Sequence, residues 1–375
     1  MSDGSLNFPA IAKAMFGPEG VEVKSRSHHF KTYKNAFIGS EAVTWLSETL
    51  QLTREEAVEV GQELQARGFY RHVGKSQPFA DRSLLYSCSK QECLNTSTIW
   101  AREGRNPITV STELLRLIME IYQDSRSVFE RFGTHALSIV AADNRYSIFQ
   151  HAVCELQQVP LESLGSSERA AFFINVYNTL CLHSHLQNFM EMNGMSFWER
   201  ISVFRRCSYK IAGKFFTMLQ IEHGILRIGK PAEHLPFASI IPKLRSHDER
   251  HRFRLDEPLP LVMFALNCGT ASSPPIRVYR TETLLQQLIV NAKEYLNNSV
   301  RIQGTGKERT IVLPRLVGWY YRDFGDSERV MVKTIASWLP YAKQVEIDQI
   351  LATDKLKIKY DEYDWAYQYP FVENQ

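Results

Sequence analysis

Apolar residues return along this chain with two periods, and the changes of period divide it into modules. Val43, Leu46 and Leu50 recur at helical spacing behind Ser40, which predicts a helix capped by that serine. Thr53 with Glu56 forms a capping box for a second helix, whose apolar face is Ala57, Val60, Gly61 and Leu64. Gly68 supplies the left-handed stop at its end. The period then shortens: Phe69 to Val73 reads as a strand, Gly74-Lys75 as a hairpin turn, and Leu84 to Tyr86 as the returning strand. Helices followed by a hairpin predict a winged helix over residues 16–88.

A connector at 89–165 follows. Asn106-Pro107 precedes a helix begun by Ser111, with Leu114, Leu117, Ile118 and Ile121 on one face, a stripe that needs a surface to cover. The third segment, 166–369, opens with a helix from Glu168 to His185 that is apolar on almost every side and therefore buried on most faces. Leu261 to Leu266 reads as a buried strand, Thr283 to Leu296 as an amphipathic helix, Thr310 to Leu313 as a short strand and Val330 to Leu339 as a further helix. The expected fold class is multidomain α+β: an N-terminal winged helix, a helical connector and a C-terminal mixed α/β domain.

Composition narrows the function classes. Hydrophobic residues make up 44% and charged residues 23% of the 375, the mixture of a soluble globular chain. The densest apolar run, Leu259 to Leu266, is far shorter than the roughly 20 residues that span a bilayer. Met1-Ser2-Asp3-Gly4 starts neither a secretory signal nor a myristoylation site, so a cytoplasmic chain is expected, with membrane contact peripheral. The six cysteines lack framework spacing and are expected as thiols. A net charge of +3, left by 44 basic and 41 acidic side chains, gives no global field for nucleic acid or lipid.

Two resemblances rest on the residues themselves. Thr32-Tyr33, Phe37-Ile38-Gly39-Ser40-Glu41-Ala42-Val43 and Trp45-Leu46, continued by Gly68, Tyr70-Arg71-His72-Val73, Phe79, Asp81 and Leu85-Tyr86, resemble the DEP-domain signature. That resemblance implies a module that places signalling proteins at membranes or receptor tails. Phe173-Ile174-Asn175-Val176-Tyr177-Asn178, Ile221-Glu222-His223-Gly224-Ile225-Leu226-Arg227, Phe264-Ala265-Leu266-Asn267-Cys268-Gly269, Ser273-Pro274, Trp319-Tyr320, Asp323-Phe324 and Tyr363-Asp364-Trp365 resemble domain of unknown function 547. Bacterial members of that family often carry a second cysteine where this chain has Ser273, so no two-cysteine mechanism is implied here. The resemblance implies architecture and candidate positions rather than a reaction.

Cys268 is the position where chemistry is expected. It follows the apolar run and precedes Gly269, where the chain leaves the core and presents a side chain. A thiol becomes a nucleophile when an imidazole lowers its pKa, and His223 is the candidate. Asn175 and Asn178, three residues apart on the buried helix, are candidates to orient the imidazole or to donate to an oxyanion. Together these make the parts of a thiol hydrolase or acyltransferase; equally, a cysteine after a core segment is an ordinary small hydrophobe and a buried Asn ordinarily satisfies backbone. His183 and His185 point apart on a helix, no finger spacing or His-Glu-x-x-His run occurs, and no phosphate-binding glycine loop is present, so neither metal nor cofactor is expected. Trp319, Tyr320, Tyr321 and the late aromatics Tyr360, Tyr363, Trp365, Tyr367 and Tyr369 read as core and rim packing or as the wall of a cleft.

The first module has its own surface. The helix expected to enter a DNA groove carries Glu55, Glu56, Glu59 and Glu63 against Arg54 and Arg67, which repels phosphate, so no nucleic-acid partner is expected. Lys24, Arg26, Lys31 and Lys34, extended by Arg71 and Lys75 on the wing, form a basic segment suited to an acidic phospholipid surface or an acidic receptor tail, or else an ordinary solvated face. Two function classes follow. One is an intracellular signal-transduction protein, peripheral at the plasma membrane, whose second domain binds a protein partner. The other is a Cys-His thiol enzyme localised by the DEP-like module.

Overall fold

The computed structural model describes residues 6, 8–28, 31–74, 77–88, 92–187, 197–228, 235–236, 238–241, 244–353 and 355–368. The N-terminal module runs α1 (Phe8–Met15), β1 (Lys24–His28), β2 (Lys31–Ile38), α2 (Gly39–Leu50), α3 (Arg54–Ala66), β3 (Tyr70–His72) and β4 (Leu85–Cys88), with an antiparallel sheet in the order β1-β2-β4-β3. Its core is aromatic: Phe37 meets Tyr70 at 4.9 Å and Phe79 meets Tyr86 at 5.1 Å between ring centroids. The capping box is formed as expected, with Thr53 N donating to Glu56 Oε2 at 2.8 Å and Glu56 N to Thr53 Oγ1 at 3.2 Å.

Two local expectations change. Ser40 caps nothing, because α2 continues directly from β2 and its first N–H groups already have acceptors in the returning segment: Gly39 N donates to Leu84 O at 2.9 Å and Ser40 N to Arg82 O at 3.0 Å. The basic segment before α2 is itself the β1–β2 hairpin, which no apolar alternation announces.

Beyond β4 the connector is built into the second module. β5 (Glu92–Cys93) pairs parallel with β6 (Cys207–Ile211), which pairs antiparallel with β7 (Lys214–Thr217). Asn95 then acts as an extra rung, its amide taking Lys210 N at 2.8 Å and giving to Lys210 O at 2.9 Å. The helix α4 (Pro107–Asp124) begins at Pro107 rather than Ser111, because Asn106 Oδ1 accepts from Ile108 N and Thr109 N and Pro fits the first helical position. Its stripe, Leu114, Leu115, Ile118 and Ile121, packs on the central helix Ser166–Gln187, and both belong to one hydrophobic core.

The central helix is buried without a break from Ala170 to Leu186. Leu261 to Leu266 is not a strand. Pro260–Phe264 forms a short 3-10 helix, apolar on every side because every side is buried. Its backbone lacks a ladder, and asparagine side chains replace one: Asn178 Nδ2 donates to Ala265 O at 3.0 Å, and Asn291 Nδ2 donates to Phe264 O. The remaining expected elements appear as the helices Leu284–Ser299 and Glu328–Ala336 and as β9 (Thr310–Leu313), which lies between β8 (Arg301–Gln303, antiparallel) and β10 (Ile358–Tyr360, parallel). Tyr369 lies outside the described residues.

The two modules touch at the end of α3. Lys210 Nζ donates to Ala66 O at 3.1 Å, Arg67 donates to Thr96 O, and the Phe215 ring lies against Gly68. Gly68 is needed there twice over: its φ is +84°, and a Cβ would stand 2.4 Å from the Phe215 ring. Gly68→Ala is therefore expected to destabilise the chain by about 2–4 kcal/mol, from φ strain and overpacking together. In a urea-denaturation cycle, Phe215→Ala should relieve the steric part of that loss and leave the strain.

Candidate functional site

Cys268 sits in a turn that the sequence gives the means to build. Gly269 takes φ +75°, and the space a Cβ would fill is occupied by the His185 ring, 2.0 Å from the would-be atom. Asn267 holds the turn from below, accepting from Gly269 N at 2.7 Å and donating to Pro274 O at 2.7 Å. The half-buried Cys268 Sγ lies 3.2 Å from Ser273 Oγ, 3.3 Å from Tyr363 OH and 3.4 Å from Thr270 Oγ1. Ser273 Oγ accepts from both Cys268 N and Thr270 N, which leaves its own proton for the surrounding thiol and hydroxyls, Thr270 Oγ1 at 2.8 Å among them. The wall beside this network is aromatic: the Tyr363 ring packs, tilted, against Trp319 at 4.7 Å and Trp365 at 4.6 Å between centroids.

His223 is not a hydrogen-bond partner of Cys268. The expected helix around it is a single π-helical turn, Ile221–Leu226, and its side chain is 4% exposed within a different polar cluster. Arg227 Nη1 lies 3.2 Å from His223 Nδ1; because a guanidinium only donates, Nδ1 accepts and the ring proton sits on Nε2, 3.4 Å from Glu222 Oε1. Glu222 accepts from Tyr320 OH at 2.7 Å and Tyr177 OH at 3.3 Å, and Arg227 grips Asp323 through Nε and Nη2 at 2.9 and 3.0 Å. Burial, with Arg227 adding and Glu222 opposing, pushes His223 down to about 4, so the imidazole is neutral near pH 7. Burial likewise takes His183 and His185 down to about 3.

Asn175 and Asn178 share a face, and both use that face on backbone. Asn175 donates to Tyr279 O and accepts from Tyr279 N, each at 2.9 Å; Asn178 gives to Ala265 O and takes from Asn267 N, each at 3.0 Å. With donor and acceptor both engaged, they position the Cys268 turn on the central helix rather than reach its thiol.

On the first module two cations of the basic segment have acidic partners. Lys24 pairs with Glu22 at 2.7 Å, and Arg26 with Glu22 at 3.2 Å and Glu41 at 3.0 Å. Arg71 on β3 is exposed without an ion pair among the described residues. Lys75 and the side chains of Lys31 and Lys34 lie outside what is described. Among the described residues no group of three His, Cys, Asp or Glu side chains is arranged to hold a metal, and no helix is long and apolar enough to cross a membrane.

Sequence reasoning missed Thr270 and the proton-donating part of Ser273, which a Cys-Gly-Thr turn followed by serines signals only weakly. It also missed Arg200. The signal there is legible: Phe197, Ile201 and Phe204 mark an apolar face at helical spacing, and Arg200 falls on it.

The model of the domain found in Dishevelled, Egl-10 and Pleckstrin (DEP) matches residues 20–88, and that of the family described as protein of unknown function DUF547 matches residues 161–296. Relatives called vacuolar membrane-associated protein iml1 from Aspergillus terreus, Schizosaccharomyces pombe and Aspergillus oryzae are 36%, 37% and 35% identical over 89, 89 and 88 residues. Each match covers 23% of this chain, and the chain spans only 5%, 6% and 5% of the length of these relatives.

Two measurements separate positioning from chemistry. Asn178→Ala leaves a buried N–H and a buried C=O unmet and is expected to lower stability by about 2–4 kcal/mol in urea denaturation. Each buried histidine binds a proton in the unfolded chain near 6.5 but not in the folded one until well below that. Stability therefore falls as pH drops through this window, by about 1.4 kcal/mol per pH unit per histidine. His223→Gln should remove one proton from the measured slope between 6.5 and about 4, below which its contribution levels off.

Proposed function

We propose that this chain, a DEP domain joined to a domain of the DUF547 family, is a membrane-associated regulatory protein in which the first domain seats on a membrane surface or on a protein held there. The observation that carries this reading is the arrangement of the DEP domain. Its α3 end is committed to the second module through Ala66, Arg67 and Gly68, while the edge strand β3 with Arg71 stays open to solvent. Similarity over 89 residues to vacuolar membrane-associated relatives supports a membrane setting, and their printed names point to a vacuolar surface, not to the plasma membrane. Signalling, in this reading, means that occupancy of the DEP surface is coupled to the second domain through the seam between them.

The second domain serves as the regulated or partner-binding part. A Cys-His hydrolase or transferase is the weaker reading, because the hydrogen-bond partners of Cys268 Sγ are three hydroxyls and His223 is engaged by Arg227 and Glu222.

The membrane reading predicts which cation matters. Arg71→Glu should reduce co-sedimentation with phosphatidylserine vesicles at low salt by about fivefold or more, since each cation at an anionic leaflet contributes about 1 kcal/mol. Lys24→Glu, whose charge Glu22 already takes up, should have the smaller effect. Absence of vesicle binding by the wild type would shift the docking partner from lipid to a membrane-held protein.

A further inference from the structure

Several guanidinium groups withdrawn from the surface have carboxylate partners among the described residues. Arg67 is held by Glu63, Arg227 by Asp323, Arg250 by Asp248 and Arg277 by Glu294. Arg200, on the Phe197–Arg206 helix, is 8% exposed and makes neither a hydrogen bond nor an ion pair with any described residue. Most of this side chain is withdrawn from water and no described residue supplies its counter-charge, so the position is suited to receive an anion.

Its surroundings lead to the Cys268 turn. Phe197, one turn earlier on the same face, meets Trp365 at 4.8 Å; Trp365 meets Tyr363 at 4.6 Å; and Tyr363 OH lies 3.3 Å from Cys268 Sγ and 2.9 Å from Thr270 Oγ1. Burial lowers the pKa of Arg200, and the groups that oppose it are the Cys268 thiol and the Tyr367 phenol, with no carboxylate among them. His185, packed on Gly269 and neutral near pH 7, supplies no counter-charge either. The helix that carries the cation thus packs, through Phe197 and Trp365, on the side of the domain where the Cys268 turn gathers hydroxyl and thiol groups able to donate to an oxygen anion.

We propose that Arg200 and the Cys268 turn form an anion-recognition site, in which the guanidinium supplies the charge, Thr270, Ser273 and Tyr363 supply hydroxyl donors, and the ligand presents a compact oxyanion, a carboxylate or a phosphate. The site lies wholly in the second domain and stands independently of the membrane reading.

The test uses the full-length chain and the rate at which Cys268 is alkylated, read by mass spectrometry, with anionic iodoacetate and neutral iodoacetamide. Charge focusing by Arg200 should raise the iodoacetate-to-iodoacetamide rate ratio about tenfold above that of free glutathione. Arg200→Gln should return the ratio to the glutathione value, and Arg200→Lys, which keeps the charge, should retain most of the preference even if the Gln variant folds poorly. Protection of Cys268 by inorganic phosphate but not acetate assigns a phosphate ligand; protection by acetate but not phosphate assigns a carboxylate. A wild-type ratio equal to that of glutathione, a ratio unchanged by Arg200→Gln in folded protein, or no labelling of Cys268 by either reagent overturns the site.

Discussion

The second domain depends on side-chain amides standing in for a β-ladder. The stretch from Leu261 to Asn267, and Tyr279 beyond it, are buried yet belong to no strand, so their backbone N–H and C=O groups need partners that water cannot provide. Asn175, Asn178 and Asn291 meet that need from two helices, and Asn267 meets it from within the segment. An amide carries a donor and an acceptor on one planar group, the same pair a neighbouring strand would present, so two contacts fix both the position and the rotation of the chain it holds. The Cys268 turn inherits its geometry from this scaffold.

What the sequence made legible was local. The Thr53–Glu56 box and the Gly68 stop follow from short-range chemistry and appear where that chemistry places them. The burial of the central helix follows from its lack of a polar face. The β1–β2 hairpin was illegible because Lys-Ser-Arg-Ser-His has no alternating apolar pattern and owes its strand to pairing alone. The Leu261–Leu266 run was misread because full burial erases the difference between helix and strand periods. Which partners Asn175 and Asn178 chose was also beyond the sequence, since Tyr279 and Ala265 lie about 90 to 100 residues away along the chain.

The candidate site shows the same division. Cys268 before Gly269 marked the turn, and the turn is there. The imidazole expected beside it belongs instead to a closed cluster of Glu222, Arg227, Asp323, Tyr177 and Tyr320, where every charge has a neighbour. Near the thiol the imbalance runs the other way, with a mostly buried cation and no buried carboxylate among the described residues. Two polar clusters in one domain therefore have opposite characters: in one the charged groups are paired with one another, in the other a cation lacks a described carboxylate.

The seam at Gly68 sets a mechanical relation between the domains. Gly68 rests under Phe215, and Arg71 on the open strand is three residues further on. Phe69 and Tyr70 fill that gap, and Tyr70 is locked into the aromatic core by Phe37 and Phe79. The wing strand and the seam are therefore neighbours on one short stretch of chain, with a core aromatic between them.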